Sequence, residues 1–261
     1  MTATVSIVIP TFNRADKLPR AIDSALDQTV PCEVIVVDHG SADQTPDVAA
    51  AYGDKITYVR RDRDFGPHYC WLDGVMHSTG DLVHLQYDDD WIEPRFVEAC
   101  LAVMDDETGF AFTMARVHTE GGTVPDNLLF RKWLPRTGTF PVAKIEKRIT
   151  RGVVSPGCCM FRRQTLIDGL YQGQLPLPEF HYHGVGPDRF IALLSMLRYP
   201  KVGFVREPLA VFLAHPGSIT IDAGADKQKA EALNRAYRDV SRFYRELKLI
   251  KRMRKVFGVS R

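Results

Sequence analysis

Four short β-branched runs punctuate the first 85 residues, and the gaps between them carry apolar residues at helical spacing. Val5-Ser6-Ile7-Val8-Ile9 reads as a buried strand ending at Pro10, and Glu33-Val34-Ile35-Val36-Val37 as a second, stopping at Asp38-His39-Gly40-Ser41. Between them Leu18, Ile22, Ala25 and Leu26 predict an amphipathic helix. Ser41 or Asp43 can cap a helix through Ala51, and Ile56-Thr57-Tyr58-Val59 is the third strand. Pro67 to Ser78 reads as a helix closed by Gly80, and Leu82-Val83-His84-Leu85 as the fourth strand. Near-continuous apolar strands alternating with helices need cover on both faces, so the pattern calls for an α/β fold, a mostly parallel sheet sandwiched by helices.

The fourth strand delivers Tyr87-Asp88-Asp89-Asp90-Trp91, and Pro94 starts a helix just beyond. Three consecutive carboxylates repel one another unless something positive neutralises them; a solvated acidic turn is the plain alternative. Hard cations such as Mg²⁺ and Mn²⁺ are commonly held by one or two carboxylates plus the phosphates of a substrate. The ligand crevice of an open α/β sheet lies beyond the carboxyl ends of its strands, where this run would sit. A dinucleotide-binding plan needs G-x-G-x-x-G after the first strand, but Pro10-Thr11-Phe12-Asn13-Arg14 contains no glycine. A P-loop is absent too, so the Rossmann oxidoreductase reading fails.

After Pro94 the pattern loosens. A helix to about Asp105, a strand from Gly109 to Ala115 and a Gly121-Gly122 turn are expected, while residues 123–157 resist assignment. A helix from Pro187 to Leu197 precedes two strand-like runs, Val202 to Val205 and Ala210 to Leu213, and Asp226 to about Val256 reads as one long or broken helix. The five cysteines show no C-x-x-C spacing, and Cys158 and Cys159 are adjacent; they read as reduced thiols without a zinc site. No apolar run reaches the ~18 residues a membrane helix needs, and the start lacks a secretory signal, so a cytoplasmic location is expected.

The residues as they stand resemble the family 2 glycosyltransferases. Val5 to Arg14 is similar to their opening V-S-I-V-I-P-T-Y/F-N-R, and Ile35-Val36-Val37-Asp38-His39-Gly40-Ser41-Ala42-Asp43 to I-V-V-D-D-G-S-T-D. Asp64-Phe65-Gly66, Asp73-Gly74 and Thr79-Gly80-Asp81 look like the D-x-G … N-x-G … A-x-G-E stretch, and Asp88-Asp89-Asp90-Trp91-Ile92-Glu93-Pro94 falls on the D-x-D-D-x-x-x-P metal motif. The match runs in order from residue 5 to about 115. The resemblance implies a GT-A-like fold, a nucleotide-diphosphate sugar donor of UDP, GDP or dTDP type, and inverting transfer to a saccharide or lipid-linked saccharide, in bacterial polysaccharide or lipopolysaccharide synthesis. It implies a GT-A domain over residues 1–222, with a nucleotide-sugar half (1–115) and an acceptor and base half (116–222).

Carried over residue by residue, the motifs place Pro10, Thr11, Phe12, Arg14, Asp38, His39, Asp64, Gly66 and Asp88 around the nucleotide sugar. Asp89 and Asp90 match the paired aspartates expected to hold Mn²⁺ or Mg²⁺, with His215 in Ala214-His215-Pro216-Gly217-Ser218-Ile219-Thr220 as a further ligand, a contact to the diphosphate or a plain turn histidine. Tyr87 occupies the family's first-Asp position, and Asp88 stands in one residue later. His39 replaces the family's second Asp; it contacts the base, or is a loop histidine bonded to local backbone. Inversion needs a general base, and Asp188, in the first turn of a Pro-started helix, fits that role as well as helix-dipole complementarity, with Glu179 and His183 in reserve. Pro187 stands where the family has Glu. Trp71, Trp91 and Trp133 can stack on a sugar but suit a core equally.

The formal charge of +2 conceals an asymmetry. From Arg242 onward eight basic residues face Glu246 alone, a net +7 that leaves −5 for the rest. Val240, Phe243, Tyr244, Leu247, Ile250, Met253, Val256 and Phe257 recur there at three- and four-residue intervals. The 223–261 tail is therefore a basic amphipathic helix that either lies on an anionic membrane surface, making the protein peripheral, or packs on its own domain. No nucleic-acid motif accompanies the charge. Two other classes compete with this reading. A sugar-nucleotide pyrophosphorylase lacks its Gly-rich N-terminal loop here. A catalytically silent nucleotide-sugar-binding or assembly subunit stays open, because of Tyr87, His39 and Pro187.

Overall fold

In the computed structural model, which describes residues 3–121, 127–171, 186–215 and 227–257, β1 (Val5–Thr11) is buried along its whole length. It pairs in parallel with β2 (Glu33–Asp38) on one side and β4 (Leu82–Leu85) on the other, and β3 (Thr57–Arg60) extends the parallel set beyond β2. The chain winds outward from β1 to β3, then returns to the opposite flank of β1, so β1 and β4 enclose a topological switch point. The expected end of β1 at Pro10 is corrected: the strand runs through Pro10 to Thr11. Val8 gives its carbonyl to Gln86 N–H on the β4 side, so the missing N–H of Pro10 also falls on that side, just past the end of β4. The ladder between the two strands ends there, at the place where an open α/β sheet carries its ligand crevice.

The helices of this unit follow from their sequences. α1 (Leu18–Leu26) buries Leu18, Ala21, Ile22 and Ala25. α2 is short (Thr45–Ala50), starting later than a Ser41 or Asp43 cap would place it, though Asp43 still accepts from Thr45 N–H at 3.0 Å. α3 (Pro67–His77) lies so close to the sheet that a Cβ on Gly74 would stand 2.3 Å from Val8. Asp73-Gly74 of the motif stretch is thus a packing device, with Asp73 paired to Arg61.

The remainder is mixed rather than parallel. After a two-residue β5 (Trp91–Ile92) and α4 (Phe96–Leu101), shorter than read, β6 (Thr108–Thr119) runs longer than read. The stretch without assignment supplies β7 (Asn127–Leu129), β8 (Gly138–Pro141) and α5 (Val142–Arg151), and β9 (Cys159–Arg162) and α6 (Arg163–Tyr171) follow it. β9 runs antiparallel between β4 and β6 and welds both parts into one sheet. α7 (Pro187–Arg198) leads to β10 (Lys201–Ala214), a single strand where two were expected; register shifts around Pro208 carry it past Arg206 and Glu207. Among the described residues the order is β3-β2-β1-β4-β9-β6-β10-β5, with β7 on β6 and β8 on β10.

α8 (Lys227–Val256) closes the described chain. Its apolar row is divided: Val240 and Tyr244 are buried against α5 and α7, Phe243 and Leu247 pack beside them, and Ile250, Met253, Val256 and Phe257 are exposed. No helix among the described residues is long and apolar enough to cross a membrane. Their cysteines are all free thiols.

Candidate active site

The loops that follow β1 and β2 are stitched together by their own backbone. Asn13 takes a left-handed conformation (φ 52°), which lets its N–H donate to Ser41 Oγ at 2.8 Å while its side-chain oxygen accepts from Ala42 N–H at 2.8 Å. Arg14 N–H donates to Thr45 Oγ1 and Ala15 N–H to Asp43 Oδ2. Asp38, fully buried at the end of β2, accepts from Ser41 N–H at 2.8 Å and from the Tyr58 hydroxyl at 2.6 Å, with Arg60 at 3.7 Å. His39 is buried too. Its Nδ1 faces Asp64 Oδ1 at 3.2 Å, a carboxylate 25 residues away, and that oxygen also accepts from Gly66 N–H at 2.7 Å. Gly66 opens α3 at φ +91°, a conformation that favours glycine. Thr11 is buried at the end of β1, Arg14 is half-buried, and Phe12 is 44% exposed beside them.

The acidic run splits three ways. Asp88 is largely buried, and burial first and the Asp89 charge second push its carboxyl up to about 7, while Thr11 and Arg14 pull it back. Asp89 turns toward β10, where His215 Nε2 lies 3.0 Å from its Oδ2, and its carbonyl accepts from Arg20 at 3.3 Å. Asp90 is buried and accepts from Leu213 N–H at 2.9 Å; burial, then Asp89, drives its carboxyl well up. Arg20 also lies over the Trp91 ring at 4.0 Å. The structure therefore brings Asp89 and His215 together across 126 residues and sets Asp90 against the backbone of β10. Among the described residues no three His, Cys, Asp or Glu side chains are grouped to hold a metal ion.

Across the crevice α7 starts at Gly186 (φ +119°) and Pro187, which places Asp188 in its first turn. Asp188 Oδ1 accepts from Gly186 N–H at 2.9 Å and Arg189 N–H at 2.7 Å, and Oδ2 accepts from the Tyr237 hydroxyl at 3.2 Å. Burial raises the carboxyl above its ordinary value. Tyr87 links the two sides: burial, and next the charges of Asp188 and, more weakly, Asp90, push its hydroxyl far up, and its ring packs 5.9 Å from Trp71. Trp71 is core, Trp91 sits under Arg20, and Trp133 packs on Phe130 and Phe112. Glu179, His183 and Pro216 to Thr220 lie outside the described residues.

Sequence reasoning missed Asn13, Arg20, Tyr58 and Tyr237. Asn13 carried a signal, because Asn tolerates the left-handed turn such a loop needs. Tyr58, 20 residues from Asp38, and Arg20 and Tyr237, 69 and 49 residues from their partners, have none.

Residues 6–170 match a family model described as Glycosyl transferase family 2. An uncharacterised glycosyltransferase of Rickettsia prowazekii is 51% identical over 102 residues, 39% of this chain and 32% of that protein, so the match spans about a third of the relative. An uncharacterised protein of Mycobacterium tuberculosis is 25% identical over 236 residues, 86% of this chain and 63% of that one. Among solved structures, residues 1–349 of S. aureus TarS in complex with UDP-GlcNAc superpose with a TM-score of 0.64 at 18% identity, over 82% of this chain and 60% of that chain. The mannosyltransferase PcManGT from Pyrobaculum calidifontis, in complex with GDP-Man and Mn²⁺, gives 0.60 at 18% identity, over 90% of this chain and 63% of that chain. At such identities the likeness is one of fold, the GT-A-like α/β arrangement with a C-terminal helix.

Proposed function

The chain belongs to glycosyl transferase family 2, and from that premise we propose that it moves one sugar from a nucleoside diphosphate sugar to a hydroxyl acceptor with inversion. The observation that carries the reading is the meeting of Asp89 and His215 beyond the end of β4, with the charge of Asp188 reaching Tyr87 in the same loop. The nucleoside would lie over Pro10, Thr11 and Phe12 and against Asp38 and His39, the last two held still by Tyr58 and Asp64. Arg14 and Asp88 would flank the diphosphate. The nucleotides bound by TarS and PcManGT support a donor of UDP or GDP type.

The acidic run fits a divalent cation completed by substrate oxygens. Asp88 is driven up in part by the neighbouring Asp89 charge, a repulsion that a cation relieves, and Asp89 and His215 already converge. Mn²⁺ or Mg²⁺ held by these two, with Asp90 bracing the turn, would supply Lewis-acid neutralisation of the departing diphosphate. Asp188 Oδ2 takes the proton of the acceptor hydroxyl as that oxygen bonds to the anomeric carbon and the bond to the diphosphate oxygen breaks on the opposite face. Attack from the far side inverts the centre.

The acceptor class we infer is a saccharide or lipid-linked saccharide of a bacterial polysaccharide, with the protein peripheral on the cytoplasmic face of the membrane. Leu249, Ile250, Met253, Val256 and Phe257 are exposed and, at 100° per residue, fall on the side of α8 facing away from Val240 and Tyr244. Arg252 and Arg254 border that stripe, a composition suited to an anionic bilayer. Co-sedimentation with vesicles of phosphatidylglycerol at low salt, lost at high salt, is the expected result; no binding at low salt removes this part.

The catalytic reading is tested by thermal shift with UDP, GDP, dTDP and CMP, each with and without Mn²⁺. A selective, metal-dependent rise is expected, since ligand that binds only the native state adds RT ln(1 + [L]/Kd). No shift from any nucleotide would favour the silent-binder reading.

A further inference from the structure

Outside the span matched by the family model, α8 touches the one carboxylate to which we assign proton transfer. Both lone-pair sites of Asp188 Oδ1 are engaged by backbone N–H groups, from Gly186 at 2.9 Å and Arg189 at 2.7 Å. Oδ2 has a single partner among the described residues, the Tyr237 hydroxyl at 3.2 Å. A carboxylate oxygen accepts two hydrogen bonds, so this arrangement leaves one acceptor direction on Oδ2. We propose that Tyr237 is a positioning residue for Asp188: its hydroxyl donates to Oδ2, fixes the rotation of the carboxylate and points the remaining lone pair of Oδ2 at the acceptor hydroxyl. The proposal rests on the reading of Asp188 as the base.

The ring of Tyr237 is located by contacts independent of Asp188. Arg189 is buried, donates to Thr150 O at 2.5 Å and to Tyr237 O at 3.3 Å, and carries its guanidinium 5.4 Å from the Tyr237 ring centroid. Ser241, one turn on, donates to Tyr237 O at 2.9 Å. Ala236 and Val240 are buried on either side. The tyrosine is thus clamped at its backbone and its ring before its hydroxyl meets the base.

Asp188 receives the proton of the acceptor and becomes a neutral carboxyl, while Tyr237 keeps its own; burial and the Asp188 charge hold the phenol far above the range in which it could release one. Among the described residues the titratable or charged groups facing Asp188 are Arg189 on its own helix, Tyr237 on α8 and Tyr87 from the loop after β4. A hydrogen bond given to the charged carboxylate favours it over the neutral form. Removing that bond therefore makes Asp188 harder to ionise as well as less well aimed.

The test is Tyr237→Phe in the full chain, which keeps the ring and deletes the hydroxyl. Two readouts apply: the kcat–pH profile for nucleoside diphosphate release from UDP-N-acetylglucosamine or GDP-mannose, and the ¹³C titration of the Asp188 side-chain carboxyl by NMR, assigned with Asp188→Asn. We expect kcat to fall about tenfold with donor KM unchanged, and both the acidic limb and the carboxyl titration to move up by about one pH unit. Tyr244→Phe deletes another α8 hydroxyl, one that donates to Glu146 at 2.7 Å, and should move neither readout. An unmoved Asp188 titration in Tyr237→Phe overturns the proposal, as does an equal shift in Tyr244→Phe, which would mean general loosening of the helix. Asp188→Asn separates the two levels. If that variant keeps full transfer, the base assignment falls; if it is inactive while Tyr237→Phe is silent, only the positioning role falls.

Discussion

In the loops that follow β1 to β3, side chains are fixed by partners a few tens of residues away: Asn13 by Ser41 across 28 positions, His39 by Asp64 across 25, Asp38 by Tyr58 across 20. On the opposite side Asp89 meets His215 across 126 positions, Asp90 meets Leu213 across 123, and Asp188 meets Tyr237 across 49. The first arrangement is a product of successive strand–helix–strand turns and forms whenever β1 to β3 pair. The second exists only after β10 has crossed to β6 and α8 has folded back on α7. On the proposed reading, nucleotide binding and sugar transfer rest on parts of the chain with different demands on folding, and the two should respond separately to mutation.

The sharpest way to break that division is Asp89→Asn, because Asp89 belongs to the first side by sequence and to the second by contact. Transfer should fall at least ~100-fold, and the Mn²⁺-dependent part of the nucleotide thermal shift should vanish while any metal-independent part survives. Loss of both parts together would show that the two sides are not separable.

Acid should open the seam where the sides join. His84 of β4 pairs its Nδ1 with Cys159 O of β9 at 2.8 Å, and burial pushes its imidazole down to about 4. The unfolded chain binds that proton near pH 6.5, so the contribution is intact above this pH and is lost as pH falls toward 4, by up to about 3 kcal/mol. Urea midpoints at pH 7 and pH 5 should show the decline, and a variant His84→Gln should flatten it.

The smallest effect is expected from Gly74→Ala, which is confined to the first side. The added Cβ would meet Val8 at 2.3 Å and Val37 at 3.0 Å, a clash of roughly 1–3 kcal/mol. Calorimetry should register a Tm lower by roughly 2–4 °C per kcal/mol. An unchanged Tm would mean that α3 can ride away from the sheet at little expense.

The same division explains what was legible in the amino-acid sequence. β1, β2 and β4 are near-continuous apolar runs because both faces are covered, Asp38 ends β2 and Asp88 stands three residues past β4, so strand and following loop could be read together. Cys159-Met160-Phe161-Arg162 is four residues long and comes just after the stretch rich in Pro and Arg; nothing local says that it threads between β4 and β6. Arg206-Glu207-Pro208 looked like a break between two strands, yet one strand absorbs it with shifts of register. The apolar row of α8 told correctly of an amphipathic helix. It was silent on where contact with the body ends, because Val240 and Ile250 look alike until a partner surface is present.

That helix has a mechanical consequence. Thirty residues of uninterrupted α-helix make a rod of about 45 Å, and Tyr237 and Phe257 lie about 30 Å apart along it. A rod of this kind passes on displacement instead of absorbing it, so a load on its last turn is felt at the hydroxyl beside Asp188. A label or fusion fixed to that last turn therefore loads the lever that carries Tyr237, and one fixed to the body of the fold leaves it unencumbered.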